Sequence, residues 1–285
     1  MSDAASVKTT GNLDPRVVAG FGDEWTRFDQ TGMTAEETQR AFQEYFRIFP
    51  WATLPPDPVG FDLGCGSGRW ARLVAPRVGT LHCIDASAEA LNVAKEGLGG
   101  ATNVVFHHAS VDDIPLPDSS ADFGYTLGVL HHVPDTQAGL VSCVSKLKPG
   151  APLLVYLYYS LDNRPAWYRG LWRTSDVVRR VISRAPHALR ASISNVFATI
   201  VYWPLARLAR LVEKFGGNAR NMPLAYYRRR TFYTMRTDAL DRFGTRLEQR
   251  FSRDEIRSMM ERAGLENIEF SDSPPYWVGF GRRRR

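Results

Sequence analysis

The chain has 285 residues, an ordinary 44% of them hydrophobic, and a net charge of +6, a length that holds one large domain or a core with a sizeable insertion. No run reaches the ~18 apolar residues of a membrane span, no apolar signal core opens the chain, and Cys65, Cys83 and Cys143 lack metal-ligand spacing and read as free thiols of a reducing cytoplasm. The charge is uneven: residues 164–230 hold thirteen arginines and Lys214 against only Asp176 and Glu213, a net of +12 that leaves −6 for the rest of the chain.

In chain order, residues 1–12 are polar and expected to be disordered. Phe21-Gly-Asp-Glu-Trp-Thr-Arg-Phe28 opens an aromatic-rich region, and Thr34-Ala-Glu-Glu37 is a helix start with acids in its first turn. Phe42, Tyr45, Phe46 and Phe49 follow at helical spacing. These aromatics, with Trp25 and Phe28, either cover a ligand or are simply core.

The centre alternates. Strands are predicted near 59–63, 80–84, 103–107, 121–127 and 152–158, with helices near 68–75, 87–97 and 136–146. That pattern means an α/β fold with a parallel, doubly wound sheet and a ligand at the strand C-termini. Ser252-Arg-Asp-Glu255 is a capping box for a helix to Ala263, stopped by Gly264. Two closing strands, 265–270 and 276–281, complete the sheet. Residues 161–250 are too long for a loop. There Val177, Val178, Val181 and Ile182 oppose Arg179, Arg180, Ser183 and Arg184, and a second apolar stripe from Phe197 to Leu211 is broken or kinked at Pro204. The segment is a basic, amphipathic helical insertion. The units are therefore 1–55 (N-terminal helices), 56–160 (core), 161–250 (insertion) and 251–285 (closing helix and strands).

Val59-Gly-Phe-Asp-Leu-Gly-Cys-Gly-Ser-Gly-Arg-Trp70 is a strand, a glycine turn and a helix start, and Asp85 ends the next strand. This is the layout of a nucleotide-type site. A dinucleotide loop needs a third glycine where Arg69 stands, and Asp62 would repel a pyrophosphate. The acid suits a ligand with a cationic amino or sulfonium group. Asp85 is placed to accept hydrogen bonds from ribose hydroxyls.

With Ala109-Ser-Val-Asp-Asp-Ile-Pro-Leu-Pro-Asp118, the segment Ala121–Asp135 containing Leu127-Gly-Val-Leu-His-His132, and Leu147-Lys-Pro-Gly150 in that order, the chain resembles the class I S-adenosylmethionine (SAM)-dependent methyltransferases, in particular the small-molecule group that includes ubiquinone and menaquinone biosynthesis enzymes. The resemblance covers about 58–160 and, more loosely, 250–282. It implies a Rossmann-like seven-stranded sheet with an antiparallel last strand and an N-terminal helical lid. It also implies SAM as methyl donor, leaving as S-adenosylhomocysteine. Carried over position by position, Asp62, Gly64, Gly66 and Gly68 meet the methionine end, Asp85 the ribose, Ala86, Ser110 and Val111 the adenine, and Leu127 and Gly128 the amino group. Many relatives have an acid where Ser110 stands, which makes Asp112 a competitor for that contact.

His131 and His132 are candidate catalytic bases. The alternative is that one packs against the cofactor while the other caps the loop before Pro134. Trp25, Phe28, Tyr158 and Trp167 are candidate acceptor-pocket residues. The acceptor is expected to be a small molecule, anionic or lipid-like, methylated at oxygen or nitrogen. The basic insertion reads as a cap whose arginines meet such an acceptor, as a membrane-surface element, or as a solvated face. A nucleic-acid arm is disfavoured because no RNA-binding module is recognisable. The expected location is cytoplasmic, with peripheral membrane contact as the variant. A non-catalytic interaction module is the reading from a different class, and the intact loop and Asp85 argue against it.

Overall fold

The computed structural model describes residues 11–285; the expectation for residues 1–10 falls outside them. Two N-terminal helices, α1 (Pro15–Arg27) and α2 (Ala35–Phe46), precede the sheet. Asp14 caps α1, accepting from the Arg16 and Val17 amides, and Thr34 caps α2. The seven strands are β1 (Val59–Leu63), β2 (Thr80–Asp85), β3 (Val104–His108), β4 (Phe123–Leu127), β5 (Pro152–Tyr156), β6 (Leu265–Phe270) and β7 (Gly279–Arg283). Their order is β3-β2-β1-β4-β5-β7-β6. The first five are parallel, and β7 runs antiparallel to both neighbours. The order reverses between β1 and β4, which places a ligand crevice at their carboxyl ends. This is the Rossmann-like arrangement expected from the sequence.

Crossover helices are α3 (Ala71–Val74), α4 (Ala88–Leu98) and α5 (Thr136–Lys146). The helix expected over 68–75 is shorter: α3 has one turn and tightens into a 3-10 turn at Ala75–Arg77, where Pro76 cannot continue an α-helix. Strand β4 starts later than expected, residue 121 making only an isolated bridge to Leu147. Strand β5 ends at Tyr156, and β7 starts at Gly279.

The insertion contains α6 (Ala166–Ile182), α7 (His187–Phe197), a π-turn (Ala198–Tyr202), α8 (Trp203–Lys214), a 3-10 turn (Ala225–Arg229) and α9 (Phe232–Gly244). Pro204 cannot donate to the carbonyl four residues back, and the helix widens into the π-turn just before it. Met235, Ala239 and Phe243 of α9 pack with Ala198 and Tyr202 in a small core of their own. The chain returns by a parallel bridge between Tyr159 and Phe251 and then forms α10 (Arg253–Arg262), begun by the predicted capping box.

One expectation is partly reversed in α6, where Ile182 is buried and Arg180 and Arg184 are exposed as the pattern implies. The periodicity sets the valines on the inner side, yet Val177, Val178 and Val181 are 62%, 41% and 68% exposed, while Arg179 and Ser183 are 5% and 3% exposed. Arg179 is drawn inward because its guanidinium pairs with Asp176 and donates to the Thr245 carbonyl.

In the β1–β4 register Gly60 faces Phe123 and Phe61 faces Gly124. A Cβ on Gly60 would stand 2.1 Å from the Phe123 ring, and one on Gly124 2.2 Å from the Phe61 ring. Each fully buried ring therefore lies over the glycine opposite, one on each face of the sheet. Gly124→Ala should lower the unfolding free energy by about 1–3 kcal/mol through overpacking, read as a lower urea midpoint at unchanged slope. Gly20→Ala on α1, where a Cβ meets nothing within 4 Å, should be neutral or stabilising.

Candidate active site

Strand β1 turns at its carboxyl end into a loop whose amides reach across to β2. The Gly64 and Cys65 amides donate to the Ile84 carbonyl at 2.7 and 3.1 Å. The Gly66 amide donates to Asp85 Oδ2 at 2.8 Å, and Ser87 donates to Asp85 Oδ1 at 2.9 Å. Asp85 thus clamps the glycine loop to the start of α4. Gly64 and Gly66 have φ of +74° and +53°, which side chains rarely tolerate. A Cβ on Gly66 would meet the Trp25 indole at 2.9 Å, and one on Gly64 would meet Val129 at 2.3 Å. The helix lying on the loop is therefore α1, through Trp25. The aromatics of α2 behave as core: Phe42 and Phe46 are buried, and Phe46 packs edge-on against Tyr125.

Asp62 is 2% exposed, and its Oδ2 has no hydrogen-bond partner. Burial pushes its carboxyl up to about 8; Tyr125 pulls against that, the nearby Asp85 adds to it, and Arg69 relieves it. Tyr125 stands opposite Asp62 in the strand register, but its hydroxyl closes no hydrogen bond. Thr126 Oγ1 and Ser67 Oγ are also buried without partners. Each unsatisfied buried group costs about 1–3 kcal/mol, so this concentration beside one loop marks a place that an ionic or hydrogen-bonding ligand completes. A bare-backbone cradle, an uncompensated acid at its floor and a second acid at the next strand tip fit a cationic amino acid joined to a nucleoside, which is the chemistry of SAM.

On the expected adenine side, the Ser110 hydroxyl donates to Asp112 Oδ1. The two candidates for one contact are a hydrogen-bonded pair. Asp112 Oδ2 also accepts from the Asn12 amide at 3.0 Å, and Asn12 exchanges bonds with Asp135. The segment before α1 is thereby strapped across Val111. The Ala86 carbonyl accepts from His108. Gly128, at φ +84°, has open space where a Cβ would stand.

The acceptor side is where tertiary structure adds most. His131 is fully buried, stacked on Tyr158 with ring centroids 3.8 Å apart. Burial, helped by His132 and Arg250, holds it well below the usual histidine range and therefore neutral. The His132 ring nitrogen Nδ1 is 2.7 Å from the Leu247 carbonyl and must donate to it, so in the neutral ring Nε2 carries the lone pair. Nε2 lies 3.9 Å from Asp241 Oδ1, and Tyr158 donates to Asp241 Oδ2. Neither histidine caps the loop before Pro134. Instead the pair docks the end of the insertion onto the core, the Gln249 amide donating to the His131 carbonyl at 3.0 Å.

Around His132 the structure gathers groups that sequence reasoning missed. Glu24 of α1 is 4% exposed, and its carboxylate makes no hydrogen bond or ion pair among the described residues. Burial, with the charges of Asp241 and Asp238, raises its pKa well above the carboxylate range, while Arg69 opposes the rise. Burial pushes Asp238 to about 6 and raises Asp241 as well. The rings of Tyr45, Tyr156, Tyr226 and Tyr227 interact with one another or with Asp238 in the same region. Arg69, stacked on Trp70 at 4.2 Å, joins this cluster to the glycine loop. The one signal in the sequence was that Asp238 and Asp241 stand three apart on a helix, hence on one face. Of the four proposed pocket residues, Tyr158 lies here and Trp25 on the adjoining loop. Phe28 is buried edge-on against Tyr233. Trp167 is 55% exposed on the outer side of α6.

Comparison with known proteins bears on this geometry. Residues 61–155 match the methyltransferase domain family. An uncharacterized methyltransferase of Mycobacterium tuberculosis is 27% identical over 128 residues, 45% of this chain and 64% of the relative. The ubiquinone biosynthesis O-methyltransferase of Xanthomonas oryzae is 29% identical over 128 residues, 44% of this chain and 52% of the relative. The matches thus span between half and two thirds of those relatives. Among solved structures, the S-adenosylmethionine-dependent methyltransferase SibL superposes with a TM-score of 0.52 at 15% identity, over 87% of this chain and 56% of that one, which establishes a shared fold.

The raised acids make the stability of the free protein fall with pH. Asp62 and Asp238 keep protons in the folded state, up to about 8 and about 6, that the unfolded chain has already released near pH ~4. The folded state therefore binds more protons between those limits, and stability declines across that window as pH rises. Asp62→Asn should flatten the decline between pH 6 and 8, measured as thermal midpoint against pH.

Proposed function

The chain carries a class I S-adenosylmethionine-dependent methyltransferase domain, and on that premise we propose that it methylates a proton-bearing nitrogen or oxygen of a small molecule held between the glycine loop and α9. The reading rests on one observation above others: where α1 packs on α9, the buried Glu24 lies within electrostatic reach of Asp238, Asp241 and Arg69, at the end of the loop that would hold the donor. Asp62 and the 64–68 backbone would hold the methionine end of SAM, and Asp85 its ribose. When bound, SAM supplies a methyl group already activated on a sulfonium. The remaining work of the protein is to align a nucleophile, exclude water and take up a proton.

His132 is the candidate base. Its Nδ1 proton is fixed by Leu247, its Nε2 lone pair is free, and Asp241 is placed to stabilise the imidazolium formed by proton uptake. Tyr158 orients Asp241. His131 supports this array from beneath Tyr158 and stays neutral.

The acids set the preferred acceptor. Of the cations here Arg230 and Arg250 are already paired, with Glu44 and Glu248, which leaves Glu24, Asp238 and Asp241 facing Arg69, and the tyrosine rings offer faces to a cation. An amine or a neutral hydroxyl suits this lining better than a carboxylate or phosphate. Several cations expected to meet an anionic acceptor are engaged by other acids: Arg228 and Arg229 with Glu213 and Arg179 with Asp176 away from the site, and Arg230, which lies over Tyr226, with Glu44.

Calorimetry with SAM and S-adenosylhomocysteine tests the first half. Wild-type protein should bind both, and Asp85→Ala should weaken binding by roughly a hundredfold, as expected for losing charge-assisted bonds to two hydroxyls. No heat with either ligand overturns the reading in favour of a non-catalytic fold. Transfer of labelled methyl groups to panels of amines, phenols and carboxylates tests the second half. His132→Ala should lower turnover about 10²–10⁴-fold and leave SAM affinity unchanged.

A further inference from the structure

Of the fifteen large hydrophobic side chains exposed among the described residues, thirteen belong to the insertion. They are not scattered. On α6 the buried side carries Asp176, Arg179 and Ser183, and it packs on α9 and on the chain that follows it. The opposite side carries Trp167, Leu171, Val178 and Val181, all between 41% and 68% exposed. Helix α7 and the π-turn repeat the pattern: Arg190, Ser194, Ala198 and Tyr202 are buried at four-residue steps, while Leu189, Val196 and Ile200 are at least half exposed. Ile182, Ile193 and Phe197 turn toward the insertion's own core, and both helices still leave a further set of large apolar side chains outside, which an ordinary surface helix would bury. On α8 the apolar residues continue outward as Trp203, Leu208, Leu211 and Phe215, interleaved in sequence with Arg207, Arg210 and Lys214.

An exposed apolar surface of this extent marks an interaction site, and charge identifies the occupant. Both acids between residues 164 and 230 are engaged, Asp176 with Arg179 and Arg180, and Glu213 with Arg228 and Arg229. Arg173, Arg207, Arg210 and Lys214 have no acidic partner among the described residues. A second copy laid on this face by two-fold symmetry would set like charges against each other. A surface of anionic lipid headgroups complements them, with the apolar side chains entering the acyl boundary and Trp167 and Trp203 at the level where indoles partition. No described helix is long and apolar enough to cross a membrane, so the contact is with one surface.

We propose that the outward faces of α6 and of the α7–α8 rod dock this protein on an anionic lipid membrane. The proposal is independent of the chemistry assigned to the buried site.

Co-sedimentation with vesicles tests it. The full-length protein should bind phosphatidylcholine vesicles containing phosphatidylglycerol, bind pure phosphatidylcholine much more weakly, and lose affinity as salt rises from about 0.05 to about 0.5 M. Replacing Arg207, Arg210 and Lys214 with Gln should lower partitioning by about a hundredfold. Replacing Leu208, Leu211 and Phe215 with Ser should also lower it, without shifting the thermal midpoint, because all three are exposed. Absence of binding to the anionic vesicles, or equal binding by wild type and both variants, overturns the proposal. So does a concentration-dependent dimer in sedimentation equilibrium that the Ser variant abolishes, which would assign the face to a second copy.

Discussion

Two carboxylates, the buried Asp62 and the half-buried Asp85, organise the ligand end of the sheet. Asp85 spends its oxygens on the Gly66 and Ser87 amides and so fixes the loop. Asp62 has nothing comparable, and its desolvation remains uncompensated. A charge buried without a partner is expensive, and proteins relieve the cost by protonation or by a ligand. The glycine loop, the placement of Trp25 and the reach of Arg69 toward α9 all radiate from this point.

The same physics recurs on the acceptor side. Glu24 comes from α1, while Asp238 and Asp241 come from α9, more than two hundred residues later in the chain. Their mutual repulsion and their burial both oppose ionisation, and Arg69 partly compensates. The acids and tyrosines face inward, and most of the unpaired cations face outward. The insertion, which includes the +12 of residues 164–230, therefore contributes Asp238 and Asp241 to the interior and a cationic, apolar surface to the outside. Net charge describes what a segment attracts at long range; it does not describe what its inner face touches.

Helix periodicity was legible in the insertion, but its direction was not. A 3.6-residue pattern separates two faces and leaves open which one the rest of the protein covers. For α6 the ordinary assumption places the valines inside. Arg179 and Asp176 reverse it, because a paired guanidinium that also satisfies the Thr245 carbonyl can be buried, and because the partners on α9 and after it are themselves polar. The histidine pair was likewise visible as a motif, while its docking role depended on Leu247 and Gln249, over a hundred residues away.

By itself the sequence determined the alternating core, the glycine loop with Asp62 and Asp85, the capping box at Ser252 and the resemblance to SAM-dependent methyltransferases. All of these rest on local chemistry: backbone conformations that favour glycine, apolar runs that must become buried strands, and side chains that cap the helix beside them. Only the tertiary structure decided that Glu24, Asp238 and Asp241 meet, that Ser110 and Asp112 act as a pair, that Trp167 faces outward, and that the insertion shows its apolar stripes to the outside. Those facts depend on which desolvated groups find partners across the fold, and no local rule along the chain encodes that.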